Sequence, residues 1–146
     1  MKCDCEKYLN PIRTFDELNQ RIKESSDLKK NLIEIASNQK WMRILQCKVC
    51  KRYWAMEYPF AEMHGGGPEC LYYVECDDPK EWLNSHDNTL IHLKSREEDS
   101  TFFNSLGVEM GPEKCAKEEC LSLRIKNAIF CRRHHFESIK KKVCPF

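Results

Sequence analysis

The feature that most constrains this chain is an array of cysteine and histidine residues in its last third. Cys115 and Cys120 are separated by four residues, and Cys131 and His134 follow after a ten-residue spacer. Four intervening residues let the backbone curl so that two thiolates face one point, about 2.3 Å from a tetrahedral ion. The spacing therefore predicts a zinc site, with His135 as the alternative fourth ligand. The competing interpretation is a set of buried free thiols, because cysteine is also a common small core residue.

The segments between these residues predict how they come together. Residues 121–130 alternate apolar and polar side chains around a turn at Lys126 and Asn127, which predicts a short β-hairpin. Cys131 and His134 lie about one helical turn apart, so a following helix would carry both on one face. A knuckle, a hairpin and a helix with two ligands resemble the treble-clef zinc finger. We therefore expect a treble-clef-like zinc module in this part of the chain.

A second metal site is predicted around a Cys-x-x-Cys motif. Cys47 and Cys50 stand between two segments typical of strands, so they form a knuckle on a hairpin. A redox pair is the alternative, but thioredoxin-like chemistry places this motif at a helix N-terminus. Cys3 and Cys5 are the expected remaining ligands. The candidate replacements for a ligand in either site are His64, Cys70, Cys76, His135 and Cys144.

The length and the cysteine content indicate how large a core the chain can bury and which redox compartment suits it. At 146 residues it can bury one sizeable core or two small ones, and bound metal would add stability. The first residues lack the apolar run of a signal peptide, so the ten cysteines do not imply an oxidising compartment. No segment approaches the roughly 20 apolar residues of a membrane span. We expect a soluble cytoplasmic protein that holds about two zinc ions through thiolates.

Hydrophobic periodicity predicts an α+β fold in which a small antiparallel sheet follows an N-terminal helical hairpin. The predicted helices cover residues 15–24, 27–36 and 96–106 with a short one from residue 79, and the predicted strands cover 41–47, 53–58, 71–75 and 89–93. Gly107 to Pro112 carries two glycines and a proline, which marks a boundary. The expected domains are an α+β unit at residues 1–106 and a zinc-binding module packed on it at residues 107–146.

A glycine-rich stretch is the least ordinary part of the sequence. Three of the five glycines stand in a row at Gly65, Gly66 and Gly67, preceded by Glu62 and His64. An esterase-like oxyanion loop is an alternative interpretation, but the chain has no Gly-x-Ser-x-Gly nucleophile elbow. A rigid turn or a partner-binding loop formed by these five residues is the favoured interpretation.

Charge is distributed unevenly along the chain. The net charge is +1, yet residues 112–146 carry nine Lys or Arg and four Glu, whereas the remainder carries a net charge of −4. The basic residues Arg132, Arg133, Lys140, Lys141 and Lys142 suggest contact with phosphate, although a solvated helix face is an equally simple explanation. Nucleic acid is therefore one candidate partner, and no membrane partner is expected.

Three features together resemble a family of small zinc-containing bacterial immunity proteins that are encoded beside polymorphic toxins. These features are Cys47-x-x-Cys50 with Tyr53-Trp54, then Glu62-x-His64-Gly-Gly-Gly-Pro68, and the closing cysteine-histidine array. The usual glycine after such a knuckle is Lys51 here. The resemblance implies a non-enzymatic protein that binds and neutralises a cognate toxin. The alternatives are a zinc-finger regulator that binds nucleic acid through the basic helix, and a zinc-dependent nuclease-like enzyme using His134 and His135.

Overall fold

A computed structural model describes residues 2–61 and 66–146 of the chain. The chain divides into two compact units, Met1–Ser95 and Arg96–Phe146. The domain boundary expected between residues 106 and 107 remains a prediction. The helices are α1 (Phe15–Leu28), α2 (Pro79–Ser85), α3 (Leu90–Asn104) and α4 (Arg132–Lys140), and short 3-10 turns cover Cys5–Tyr8 and Lys29–Asn31. The strands are β1 (Leu32–Ser37), β2 (Arg43–Cys47), β3 (Tyr53–Glu57), β4 (Cys70–Val74), β5 (Glu109–Lys114) and β6 (Leu123–Ile125).

The first unit is built on a four-stranded antiparallel sheet in the order β1-β2-β3-β4. Helix α1 packs on β4, and α2 packs on β1 and β2. Because side chains alternate along a strand, the sheet contributes to a core on each face. One core contains Cys5, Leu28, Leu32, Leu45, Cys47, Trp54, Met56 and Leu71, and the other contains Met42, Ile44, Ala55, Val74 and Leu83. The predicted combination of helices with a small antiparallel sheet is confirmed.

Helix α1 begins at the predicted capping box, and a serine near its end, which was not predicted, ties it to the sheet. Thr14 Oγ1 accepts the Glu17 N–H at 3.1 Å, so the predicted capping box begins the helix. Further along, Ser25 Oγ donates to the Arg21 carbonyl at 2.7 Å and accepts the Leu71 N–H at 3.0 Å. This hydroxyl joins the helix to β4, and the helix continues through residues 26–28 instead of ending at residue 24.

The predicted N-terminal helical hairpin is wrong, because residues 32–37 form the edge strand β1. Leu32 pairs with Cys47 and Ser37 with Arg43, with a bulge between Glu34 and Ala36. The apolar residues of this segment fit a helical stripe as well as a strand, and a short apolar run does not distinguish the two. Pairing with β2 decides the outcome, since it satisfies the backbone groups and buries Leu32 in the core.

The strand predicted at residues 89–93 is also wrong, because α3 begins at Leu90. Glu57 Oε1 accepts the backbone N–H groups of Thr89 at 2.8 Å and of Leu90 at 3.0 Å. A carboxylate at this position satisfies donors that a helix start leaves unpaired and interacts favourably with the helix dipole. The cap comes from a residue 32 positions earlier in the chain, so local periodicity could not reveal it.

The second unit joins the end of α3 to a two-stranded ribbon and α4. Strands β5 and β6 pair antiparallel, with Glu109 opposite Ile125 and Lys114 opposite Leu123. The turn predicted at Lys126 and Asn127 is present, and Asn127 takes a left-handed φ of 62°. Residues 121–130 do not form a hairpin by themselves, however, because the partner of β6 is β5. The rings of Phe102, Phe103, Phe136 and Phe146 pack together beside α4.

Candidate metal centres

The first candidate metal centre lies within the first unit and gathers four cysteines. The sulfur atoms of Cys3, Cys5, Cys47 and Cys50 all lie within 4.8 Å of one another. Cys47 is the last residue of β2, and Cys50 stands in the turn that leads to β3. Cys3 and Cys5 come from the N-terminal segment, where Cys5 begins a 3-10 turn and is fully buried. Residues more than 40 positions apart in sequence therefore meet at one point.

Backbone hydrogen bonds hold the Cys47-x-x-Cys50 turn in shape. The Lys51 N–H donates to the Cys47 carbonyl at 3.1 Å, and the Cys47 N–H donates to the Arg52 carbonyl at 2.9 Å. The Val49 N–H also points at the Cys47 sulfur at 3.4 Å. Lys51 has a φ of 67°, so the turn uses the left-handed conformation for which glycine is the usual residue. Lys51 therefore adopts, in place of a glycine, the left-handed conformation that the turn requires.

Two thiols of this group, Cys5 and Cys50, have pKa values that are shifted in opposite directions. Burial raises the pKa of Cys5, and hydrogen bonds with Cys50 and Cys47 add to the shift. Burial also acts against ionisation of Cys50, but hydrogen bonds from the Arg52 backbone and side chain outweigh it and lower its pKa to about 7. Crowded thiols resist ionising together, and a divalent cation among them would remove that resistance.

The second candidate metal centre lies within the second unit and gathers three cysteines and a histidine. The ligand atoms of Cys115, Cys120, Cys131 and His134 also lie within 4.8 Å of one another. His134 Nδ1 is 3.3 Å from the Cys115 sulfur and 3.2 Å from the Cys131 sulfur. The Cys120 and Cys131 sulfurs are 3.9 Å apart. A tetrahedral site with zinc–sulfur bonds of about 2.3 Å has sulfur–sulfur edges of about 3.8 Å, so this spacing fits zinc.

Each element of the second unit contributes to this arrangement. Cys115 directly follows β5, and its N–H donates to the Ser122 carbonyl at 2.8 Å. The Lys117 N–H points at the Cys115 sulfur at 3.5 Å. Cys131 is the N-cap of α4 and His134 lies in the first turn of that helix. The helix thus presents two of the four groups from its first turn, as the spacing predicts.

In the second group, the pKa values of Cys115 and Cys131 are also shifted in opposite directions. Burial acts to raise the pKa of Cys115, but hydrogen bonds from the backbones of Cys131 and Lys117 and from His134 lower it to about 7. Burial raises the pKa of Cys131 to about 11, although a backbone hydrogen bond at His134 acts in the opposite direction. One thiol therefore ionises readily, whereas its neighbour keeps its proton until a cation compensates the charge.

The donor sets of both groups are those of structural zinc sites. Four cysteines, or three cysteines with one histidine, are soft ligands that favour zinc over the hard cations calcium and magnesium. The two groups could hold metal ions, and they are compatible with about two zinc ions. In the described ranges, 2–61 and 66–146, these are the two places where at least three potential ligands meet.

The candidate replacement ligands lie elsewhere or cannot be placed. Cys70 is buried in a cluster with Leu18 and Leu90, and Cys76 packs against the core that contains Leu83. Cys144 is buried, and its N–H donates to Glu137 at 2.9 Å. His135, like these cysteines, is absent from both groups. His64 lies outside the described residues.

The predicted partner-binding loop is described only in part. Glu62, His64 and Gly65 lie outside the described residues. Gly66 and Gly67 have φ values of 87° and 72°, so both use backbone conformations that favour glycine. A Cβ on Gly67 would lie 2.3 Å from the Phe60 carbonyl oxygen, whereas one on Gly66 would meet open space. The end of the stretch therefore requires glycine at Gly67 for a close approach of two backbone segments.

The basic residues of the C-terminal part are largely engaged within their own unit. The Arg132 guanidinium lies 4.4 Å from the centroid of the Phe103 ring, and Arg133 donates to the Phe146 carbonyl at 3.2 Å. Both Lys140 and Lys142 form ion pairs with Asp99, which is 6% exposed. Groups that neutralise one another are poorly suited to bind phosphate. The interpretation of this helix as a nucleic-acid interface is not supported.

A buried carboxylate and the pocket beside it do not belong to any of the motifs described above. Glu57 is 1% exposed and accepts hydrogen bonds from Tyr72 and Thr89 hydroxyls as well as the two N–H groups at the start of α3. Burial and this carboxylate raise the pKa of the Tyr72 hydroxyl. A glutamate at the end of the apolar strand segment Tyr53-Trp-Ala-Met-Glu57 was the available signal, because acidic residues are rarely buried without partners.

Comparison with known proteins gives one match. A family model described as immunity protein 27 matches residues 13–75. The matched segment covers α1 and all four strands of the first unit's sheet, with Cys47 and Cys50 inside it and Cys3 and Cys5 before it. No curated protein and no solved structure matches the chain. Within the described part of the chain, no helix is long and apolar enough to cross a membrane.

Proposed function

We propose that this protein is an immunity-type protein that binds a cognate bacterial toxin and neutralises it. The observation that carries the proposal is the match of the immunity protein 27 family model to residues 13–75. This segment contains α1 and β1 to β4, which form the body of the first unit. The partner would be a proteinaceous toxin, and the protein would act by occupying a surface of that toxin instead of by turning over a substrate.

Two structural zinc ions fit this role. We propose that Cys3, Cys5, Cys47 and Cys50 hold one ion and that Cys115, Cys120, Cys131 and His134 hold the other. Four protein ligands fill a tetrahedral zinc ion, so neither ion would keep the open position that catalytic zinc needs for water. A knuckle, a ribbon and a helix that starts at Cys131 support a treble-clef-like module. Thiolate ligands also favour a reducing compartment such as the cytoplasm.

The glycine-rich stretch is proposed as part of the surface that meets the toxin. Gly66 lines a pocket of the first unit together with Trp41 and Tyr58. Loops that carry binding residues are commonly held by a rigid scaffold, and here the stretch connects β3 with β4. The proposed contact residues are Glu62, His64, Gly65, Gly66 and Gly67.

Co-expression with the toxin encoded beside this protein tests the proposal. We expect the protein to restore growth of cells that express that toxin, and to co-purify with it as a complex of fixed stoichiometry. A toxin from an unrelated system is the matched control and should remain lethal. In vitro, inhibition should be complete at equimolar protein, because a binding protein acts by stoichiometry. Inhibition by a small fraction of an equivalent would indicate an enzyme and would overturn the proposal.

A further inference from the structure

The turn between β1 and β2 displays a tryptophan in a fixed and unusual conformation. Trp41 is 70% exposed and has a φ of 66°. A left-handed backbone is unfavourable for a bulky aromatic residue and persists only where its surroundings hold it. An aromatic side chain of this size is seldom left in water, and exposed tryptophan is enriched where proteins bind partners.

Two asparagine side chains hold this turn. Asn38 Oδ1 accepts the backbone N–H groups of Lys40 at 2.9 Å and of Met42 at 3.1 Å. The Asn88 side chain donates to the Lys40 carbonyl at 3.0 Å, which ties the turn to the segment before α3. The position of Trp41 is therefore preorganised, so little ordering would oppose binding at this point.

Trp41 forms one wall of a pocket of about 430 Å³. The aliphatic and aromatic part of the lining comes from Tyr58, Pro59, Ala61 and Ile91. A pocket of several hundred cubic ångströms accommodates a side chain of a partner. Trp41 and Tyr58 contribute aromatic rings to the lining, and the negative face of an aromatic π-system attracts cations.

The charges around the pocket also favour a cation. Glu57 lines it, and among the described residues the donors to its carboxylate are two hydroxyls and two backbone N–H groups, all uncharged, so those hydrogen bonds do not neutralise its negative charge. Lys40 also lines the pocket, and its ammonium is paired with Asp87.

We propose that this pocket receives a cationic side chain, arginine or lysine, that the protein partner presents. The aliphatic stem would lie against Pro59 and Ile91, and the charged group would lie over Trp41 in the field of Glu57. This inference rests on the proposed function for the identity of the partner, because the cognate toxin would supply the cationic side chain. Its ligand chemistry can be tested without the toxin.

Short peptides provide that test with the full-length protein. The probe is acetyl-Gly-Arg-Gly-amide, and its comparators replace arginine with citrulline, which is neutral and similar in shape, or with norleucine, which is aliphatic. Binding is followed by NMR at the backbone N–H groups of Lys40 and Ile91, which line the pocket and are present in every variant. We expect the arginine peptide to bind about fivefold more tightly than either comparator, as a cation–π contact of about 1 kcal/mol gives. Equal binding of a comparator, or no binding of any peptide, would overturn the proposal.

Substitutions at Trp41 distinguish the contribution of its ring to binding from an effect on the fold. Trp41→Asn removes the ring and keeps a residue that tolerates a left-handed φ, so the turn should survive and arginine-peptide binding should be lost. Trp41→Phe keeps an apolar ring with a weaker quadrupole, so the preference for arginine over norleucine should shrink. Ile33→Ala is the matched control, because Ile33 is 44% exposed on β1 and does not line the pocket. Unchanged arginine selectivity in Trp41→Phe would contradict the cation site.

Binding to the toxin then distinguishes this inference from the proposed function. If the wild-type protein fails to bind the toxin, the proposed function fails while the peptide result stands by itself. If the wild-type protein binds the toxin, Trp41→Asn should weaken that binding by at least about tenfold, the effect of a hot-spot residue. If Trp41→Asn binds the toxin as tightly as the wild type does, the pocket is not part of the interface, and the proposed function still stands.

Discussion

At the scale of single residues, left-handed backbone conformations mark the positions where this chain departs from local preference. Among the residues that the structure describes, five other than glycine have a positive φ: Trp41, Lys51, Glu119, Asn127 and Lys141. Asparagine at Asn127 is an ordinary choice for such a turn, but tryptophan and lysine are not. Two of these residues, Lys51 and Glu119, are each adjacent to a cysteine of a candidate metal centre. Backbone strain is therefore concentrated beside the groups that the proposed function uses.

The two described glycines of the glycine-rich stretch should respond differently to alanine. Gly67→Ala places a Cβ 2.3 Å from the Phe60 carbonyl oxygen at a φ of 72°, so backbone must move. We expect a loss of about 3 kcal/mol in the free energy of unfolding, measured with urea. Gly66→Ala is the control, because its Cβ meets open space, and the left-handed φ alone should cost about 1 kcal/mol. Equal losses would show that the close approach is absent.

The buried thiol of Cys70 should make stability fall at alkaline pH. Burial raises the pKa of Cys70 from 9.0 to about 12. The unfolded chain therefore releases this proton at lower pH than the folded chain does. The contribution to stability is complete below pH 9 and is lost as the pH rises toward 12. In Cys70→Ala the free energy of unfolding should decline less steeply above about pH 9 than in the wild type. Parallel pH profiles would contradict this.

At the scale of elements, local signals predicted the segments whose partners are near in sequence. Helix α1 and strands β2, β3 and β4 lie close to their expected positions, because a capping box and period-two alternation are local features. Strand β1 and the start of helix α3 were mispredicted because their conformation depends on distant residues, whereas most of the helix predicted at residues 96–106 lies within α3. Pairing with β2 holds Leu32 in an edge strand, and the Glu57 carboxylate begins α3 at Leu90.

The Cys47-x-x-Cys50 turn should become more stable when its left-handed residue is glycine. Lys51 has a φ of 67°, and a lysine pays a steric penalty there that glycine avoids. We expect Lys51→Gly to raise the free energy of unfolding by up to about 1 kcal/mol. Lys48→Gly in the same turn is the control and should lower it by about 0.5–1 kcal/mol, since glycine only adds entropy to the unfolded chain. Urea unfolding of the zinc-loaded protein measures both, and a loss of stability in Lys51→Gly would contradict the expectation.

At the scale of the whole molecule, the spacing of cysteine and histidine residues predicted which potential metal ligands meet, but it did not predict any binding surface. The structure brings Cys115, Cys120, Cys131 and His134 together because three short segments separate them. Cys3 and Cys5 meet Cys47 and Cys50 across a longer stretch, and thiol chemistry was the clue that linked them. For the pocket at Trp41 and Glu57, the acidic residue at the end of an apolar strand was a clue to the buried carboxylate but not to the cavity. It combines a turn, a strand end and the segment before α3, and only the folded chain brings them side by side.

Removal of one metal should destabilise the unit that holds it. Each candidate centre lies wholly within one unit, Met1–Ser95 or Arg96–Phe146. Binding of structural zinc supplies on the order of 10 kcal/mol of folding free energy in small modules. Cys120→Ser should therefore reduce the zinc count in native mass spectrometry from two ions to one, and hydrogen exchange should accelerate first in residues 96–146. Cys144→Ser, a buried cysteine outside both groups, should keep two ions. Retention of both ions in Cys120→Ser, or their loss in Cys144→Ser, would refute the proposed ligand sets.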